Sequence, residues 1–258
     1  MAQSLLVVLR MDVSLYSAAA AMNATERWQD LMADNLATSS APGARQQEIS
    51  FSAVETGLAS ASSGSARNSF VIPSAGVVTN FSQGELKATG EKLDFALEGP
   101  GFFTVEMPDG SMGYTRDGEF QLNRRGQLTT KQGYPVAGTG GALQFDPANT
   151  APISISADGQ LSQGADLKGK ISVTEFGNLK ALRMGNGGFF QADGPLALPQ
   201  AATATDVRQG FVEASNTSPS LAMASLLTSM RMFESNQKVM QMQSDRMTRT
   251  ITDLSGTT

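Results

Sequence analysis

The chain has 258 residues, a net charge of −5 and a pI near 4.8. With no basic run longer than Arg124-Arg125, that balance excludes a nucleic-acid partner held through its phosphates. The absence of Cys and His excludes thiol nucleophiles, thiolate metal sites, disulfides and the commonest general base, while 40% apolar residues, 17% charge and 26 Gly describe a core-forming, turn-rich chain.

Met1 to Arg10 carries a five-residue apolar run, Leu5 to Leu9, too short for a secretory signal core and without a small-residue cleavage site. No stretch approaches ~18 apolar residues, so neither a cleaved signal nor membrane insertion is expected. Residues 1–10 read as an extension or a miscalled start. Residues 11–45 read as an N-terminal stem helix from about Met11 to Leu36. Its 3-4 positions are Leu15, Ala18, Met22, Thr25, Gln29, Met32 and Leu36. Pro42-Gly43 breaks the pattern.

Residues 46–90 read as an extended linker region, richest in Ser, Ala and Gly from Thr56 to Ser69. Residues 91–205 read as a β-rich central domain. Asp-Gly occurs at 109–110, 117–118, 158–159 and 193–194, each a tight-turn signal because Gly tolerates positive φ. Alternation places Phe103, Val105 and Met107 on one face, likewise Phe120 with Leu122 and Ile153 with Ile155. Eight of the 13 Phe fall between Lys92 and Pro199, which gives this zone its own core.

Residues 206–258 read as a C-terminal stem helix from about Pro219 to Leu254. Ser218 suits the cap and Pro219 the first helical position. The 3-4 positions are Leu226, Met230, Phe233, Gln237, Met240, Ser244, Met247, Ile251 and Leu254, seven of nine apolar. Glu234 to Lys238 and Asp245 to Arg249 add i,i+4 pairs in the favourable order. This stripe outruns its N-terminal counterpart, so neighbouring subunits are expected on the surplus. The fold class expected is α+β: a mostly-β domain inserted between two helices that form a coiled-coil-like stem. The assembly interface is expected at Leu15, Met22, Met32, Leu36, Leu226, Met230, Phe233, Met240, Met247, Ile251 and Leu254.

No catalytic, cofactor-binding or metal-binding residue is assigned. The Asp-Gly pairs lack the alternating carboxylates of a calcium loop. Gly99-Pro100-Gly101 and Gly185 to Gly188 complete neither phosphate-loop pattern, and each leads into Phe-Phe, as a turn before a buried strand does. Asp94, Glu98, Glu106 and Asp109 show no spacing that singles out a catalytic pair. A hydrolase using only carboxylates is therefore weakly supported. A secreted carbohydrate-binding or adhesin-like β module is the alternative, but stacking sites favour Trp and Tyr, and the chain has one Trp, in the first helix, and three Tyr.

Leu15 to Met22 with Met32-Ala33-Asp34-Asn35-Leu36-Ala37 resembles the N-terminal signature of flagellar rod and hook proteins. Leu93 to Phe103 resembles their central motif, continued by Tyr114 to Phe120, Gly126-Gln127-Leu128 and Gly133-Tyr134-Pro135-Val136. Gln209 to Asn216 resembles the start of their C-terminal signature, and Arg231-Met232-Phe233-Glu234 a step in their last helix. Ala41-Pro42-Gly43-Ala44-Arg45 keeps the Gly and the base of a family turn but lacks its aromatic. The resemblance runs collinearly from Met11 to the end. It implies a non-enzymatic subunit of the basal-body rod, exported through the flagellar export apparatus without a cleaved signal peptide. It would polymerise in the periplasm with other rod and hook proteins as a helical homo- and hetero-oligomer.

Overall fold

The computed structural model describes residues 2–56, 70–194 and 197–255. Two helices flank a mostly-β region, as an α+β chain requires: α1 spans Ala2–Thr38 and α2 spans Pro219–Ser255. The second begins at the Pro that the Ser-Pro pair marks. The first begins nine residues before Met11, because Ala2 to Arg10 contains no Gly or Pro to stop it. Both helices are therefore 37 residues long, about 55 Å at 1.5 Å per residue. The first helix is thus as long as the second, where the sequence suggested a shorter one.

The chain divides into two units. The first comprises Met1–Leu36, Gln47–Val78 and Pro219–Thr258, and the second Ala37–Gln46 and Thr79–Ser218. In the first unit, Gln47–Thr56 and Phe70–Thr79 pair as a two-stranded ribbon inside the stretch read as linker. The Ser, Ala and Gly-rich residues 57–69 lie outside the described residues.

The second unit is built on a six-stranded antiparallel sheet. Its spatial order is Leu182–Met184, Phe190–Ala192, Met112–Thr115, Phe102–Glu106, Val173–Phe176 and Pro199–Ala201. A three-stranded meander, Ile153–Ile155, Gln160–Gln163 and Asp166–Lys170, and a hairpin of Phe120–Leu122 with Leu128–Thr130 adjoin it. Two pairs join distant segments: Asp206–Gln209 lies on Phe95–Glu98, and Phe211–Glu213 on Leu86–Ala88.

Side-chain alternation sorts the core. Phe103 and Val105 point into the larger cluster with Phe95, Leu97, Phe120, Leu128, Phe145, Leu161 and Ile171, and Met107, Leu122, Ile153 and Ile155 pack against it. Phe102 points the other way and meets Tyr114, Phe176, Leu182 and Phe190, with ring centroids 4.8–6.0 Å apart. The Phe-Phe pairs after the Gly-rich turns thus serve both cores or complete them.

Three Asp-Gly pairs are turns whose Gly sits at φ near +80° (Gly110, Gly159 and Gly194). Gly118 is used differently. A Cβ there would lie 1.6 Å from the Phe95 carbonyl oxygen, and the Phe95 N–H donates to the Gly118 carbonyl at 3.0 Å. Only Gly lets the two backbones approach so closely.

Candidate functional site

Two features lie outside ordinary core packing: the surface of the helices, and a buried charge cluster in the β unit.

On α1 the protected positions are Ala24, Thr25, Leu31, Met32 and Asn35, with Met22, Trp28, Gln29 and Leu36 half-buried. On α2 they are Ala222 and Ser229, with Leu226, Phe233, Asn236, Met240, Gln243 and Met247 half-buried, a 3-4 repeat. Of the interface residues named from the sequence, Met22, Met32, Leu36, Leu226, Phe233, Met240 and Met247 sit on these protected faces. Met230 (49% exposed) and Ile251 (65%) face solvent. The side chains of Leu15 and Leu254 lie outside the described residues.

The inward seam of α2 is partly polar, and Ser229 and Asn236 on it are bonded. Ser229 Oγ donates to the Leu226 carbonyl at 2.7 Å. Asn236 Nδ2 donates to Thr25 Oγ1 at 3.2 Å, and Thr25 Oγ1 donates to the Ala21 carbonyl at 2.7 Å. The outward surface also carries large apolar side chains among its polar ones. Leu221, Met223, Leu227, Met230, Met232, Val239, Met242 and Ile251 are all exposed, eight of the fourteen large exposed apolar side chains among the described residues. Met223, Leu227 and Met230 form one stripe at 4-3 spacing, and Met232, Val239 and Met242 another at 7-3 spacing. Counting apolar residues at 3-4 spacing merged the inward and outward faces, because both carry Met and Leu.

In the β unit, Glu213 has no exposed side-chain surface. Its Oε2 accepts from Arg116 Nη1 at 3.0 Å, and its Oε1 accepts the Gly84 N–H at 2.7 Å. Arg45 Nη2 lies 2.7 Å from Oε1 without hydrogen-bond alignment, a contact of charge, and its side chain is also fully buried. Arg116 Nη2 donates to the Gly99 carbonyl at 2.6 Å, and its guanidinium carbon stands 4.9 Å from the Phe102 ring centre. Burial pushes the Arg116 guanidinium down to about 10, with Glu213 opposing the shift and Arg45 adding to it. Arg116 remains charged at neutral pH.

The turn that supplies Arg45 is held at Gly43, which sits at φ +68° with its N–H on the Glu213 carbonyl at 2.7 Å. A Cβ there would come within 2.3 Å of the Arg116 and Asp117 backbone, so the missing family aromatic leaves the Gly and base fully used. Next to it, Asn216 Oδ1 accepts the Gln46 N–H at 2.7 Å, and its Nδ2 donates to the Asn80 and Ser82 carbonyls at 2.9 and 3.0 Å. In the helical unit Asn35 does the same work for Gln47, taking its N–H at 2.8 Å and donating to its carbonyl at 2.7 Å. Arg45, Arg116, Glu213, Asn35 and Asn216 were not singled out from the sequence as site residues. Each nonetheless lies in a segment that carries the resemblance.

The carboxylates weighed for hydrolysis have separate structural duties. Asp94 is buried, Glu98 pairs with Arg208 at 2.6 Å, and Asp109 closes a turn on Ser111 at 2.9 Å. Among the described residues no three acidic side chains gather as a metal site, and no helix is long and apolar enough to cross a membrane. Tyr114 is buried and Tyr134 packs its ring on Phe189, so neither offers an open stacking face.

The family profile described as flagellar hook protein FlgE/F/G D1 domain matches residues 96–163, and that of the flagellar basal body rod FlgEFG protein C-terminal matches residues 208–254. The first lies within the β unit, and the second runs from Arg208 through nearly all of α2. The flagellar basal-body rod protein FlgF of Mesorhizobium japonicum is 35% identical over 234 residues, 90% of this chain and 93% of the relative. FlgF of Caulobacter vibrioides is 32% identical, covering 89% and 93%. FlgG of Buchnera aphidicola subsp. Schizaphis graminum is 33% identical over a shorter span, 61% and 64%. These FlgF relatives cover more of the chain than this FlgG relative does, as befits a chain most like the proximal rod protein FlgF and next like the distal rod protein FlgG. A chain matched to FlgF proteins along nine-tenths of its length belongs to the flagellar basal-body rod protein family, FlgF-like, and is a non-enzymatic structural subunit of that rod.

Proposed function

We propose that the chain polymerises through α1 and α2 into the periplasmic drive shaft of the flagellum. The two helices form a coiled-coil-like stem, with Leu15, Met22, Met32, Leu36, Leu226, Phe233, Met240, Met247 and Leu254 along its seam. Met230 and Ile251, together with Met223, Leu227, Met232, Val239 and Met242, meet neighbouring subunits. The observation that carries this is the exposed apolar surface of α2, which a free monomer leaves in water. Met suits such a surface because its flexible thioether adapts to irregular partners. The partners are other rod and hook proteins, arranged helically, and the chain reaches them through the flagellar export apparatus with its N-terminus retained.

The chain has no Cys, so single-Cys variants give a clean background. Met230→Cys and Met242→Cys should cross-link to neighbouring subunits in purified basal bodies and stay uncross-linked in dilute monomer. Equal labelling by a small thiol reagent in both states, with no cross-link, would reject the interface. Mass spectrometry of the same basal bodies should recover the N-terminal peptide of this chain. Its absence would reject a retained N-terminus.

A further inference from the structure

The buried charge cluster of the β unit holds two guanidinium groups and one carboxylate. Arg45 comes from the segment after α1, Arg116 directly follows the strand Met112–Thr115, and Glu213 comes from the segment that leads to α2. The side chains of Arg45 and Glu213 are 0% exposed and that of Arg116 is 3% exposed. Glu213 is therefore the shared counter-ion of two charges buried away from bulk solvent. Its backbone is tied in as well. Glu213 pairs with Leu86, its carbonyl takes the Gly43 N–H, and the Ala214 N–H donates to the Glu85 carbonyl at 2.8 Å. Gly84 packs so tightly here that a Cβ would stand 2.0 Å from the Ala214 carbonyl oxygen.

We infer that Glu213 is a closing residue: the β unit stays open until the segment 206–218 supplies this carboxylate, and then locks around it. Residues 37–46 and 79–205 contain both arginines without it, so closing the unit on them alone would bury two like charges against each other. Removing one partner of a buried ion pair is far costlier than replacing the whole set with apolar groups, because an uncompensated charge remains. The lock thus makes folding of the β unit conditional on the last stretch of chain before α2. A chain not yet made or delivered to that point keeps the unit unfolded. This device is separate from polymerisation and holds whether or not α2 forms the subunit interface.

The test uses the full chain in urea unfolding monitored by hydrogen exchange of the β-unit strands. E213Q keeps the shape and removes the charge, and it should lower the folding equilibrium constant by on the order of 100- to 1,000-fold. Combining it with R45M should cost less than the two single losses multiplied together, because the second change removes a charge that the first left unpaired. A twofold or smaller effect of E213Q, or strict multiplication in the double variant, would overturn the inference. Should E213Q not fold at all, R45M/R116M/E213L decides. Recovered strand protection in that charge-free triple supports the lock, and its absence overturns it.

Discussion

Met230 and Phe233 sit one turn apart on α2 and separate the two uses of that helix. Met230 is 49% exposed on the outward stripe, whereas Phe233 is half-buried on the inward seam. Met230→Glu should barely alter the free subunit. Glu is a good helix former, and repulsion from Glu234 four residues on costs about 0.2–0.5 kcal/mol. In an assembled shaft the same change replaces a buried thioether with an unpaired carboxylate, a penalty of several kcal/mol at every subunit contact. At about 4 kcal/mol the association constant falls roughly 1,000-fold. Phe233→Ala should behave in the opposite sense, lowering the stability of the free subunit by about 1–3 kcal/mol through lost packing. Circular-dichroism melts of purified subunit and immunoblots of isolated basal bodies read the two effects. Normal incorporation of Met230→Glu would refute the outward assignment, and an unchanged melt for Phe233→Ala would refute the inward one.

Gly118→Ala should destabilise the β unit by about 1–3 kcal/mol or prevent its folding, since the new methyl would stand 1.6 Å from the Phe95 carbonyl oxygen; urea midpoints check this. Asn216→Ala should cost about 1–3 kcal/mol, because it strips partners from the Gln46 N–H and the Asn80 and Ser82 carbonyls, and exchange at Gln46 should accelerate. Burial, with Glu119 and Asp94 nearby, raises Asp117 from its ordinary value to about 6. The folded state therefore binds this proton more tightly than the unfolded chain does, and stability falls as pH rises from about 4 to about 6. Asp117→Asn should thus gain about 3 kcal/mol at pH near 7 and almost nothing near pH 3.5, a difference that paired urea titrations resolve.

The helices were legible because periodicity and the Ser218-Pro219 start are local signals. The inward face of α2 was legible in part: Leu226, Phe233, Met240 and Met247 fall on it, whereas Met230 and Ile251, counted at the same spacing, face out. Ser229, Asn236 and Gln243 share that seam, and a count of apolar residues passes over them. In the middle, Phe103, Val105 and Met107 share the face that strict alternation predicts, and three of four Asp-Gly pairs turn with positive φ. Gly118 departs because its role depends on Phe95, a partner 23 positions away that no turn signal reveals. The charge cluster stayed hidden for the same reason. Arg45, Arg116 and Glu213 look like ordinary surface charges until folding brings three distant segments together.

Neighbouring subunits that cover the outward thioethers of α2 would shield them from oxidation. Hydroxyl-radical footprinting of Met223, Met230, Met232 and Met242, compared between free subunit and intact basal bodies, measures this. Fast oxidation of all four in the free subunit and strong protection in the rod is the result expected. Equal oxidation rates in both states would contradict it.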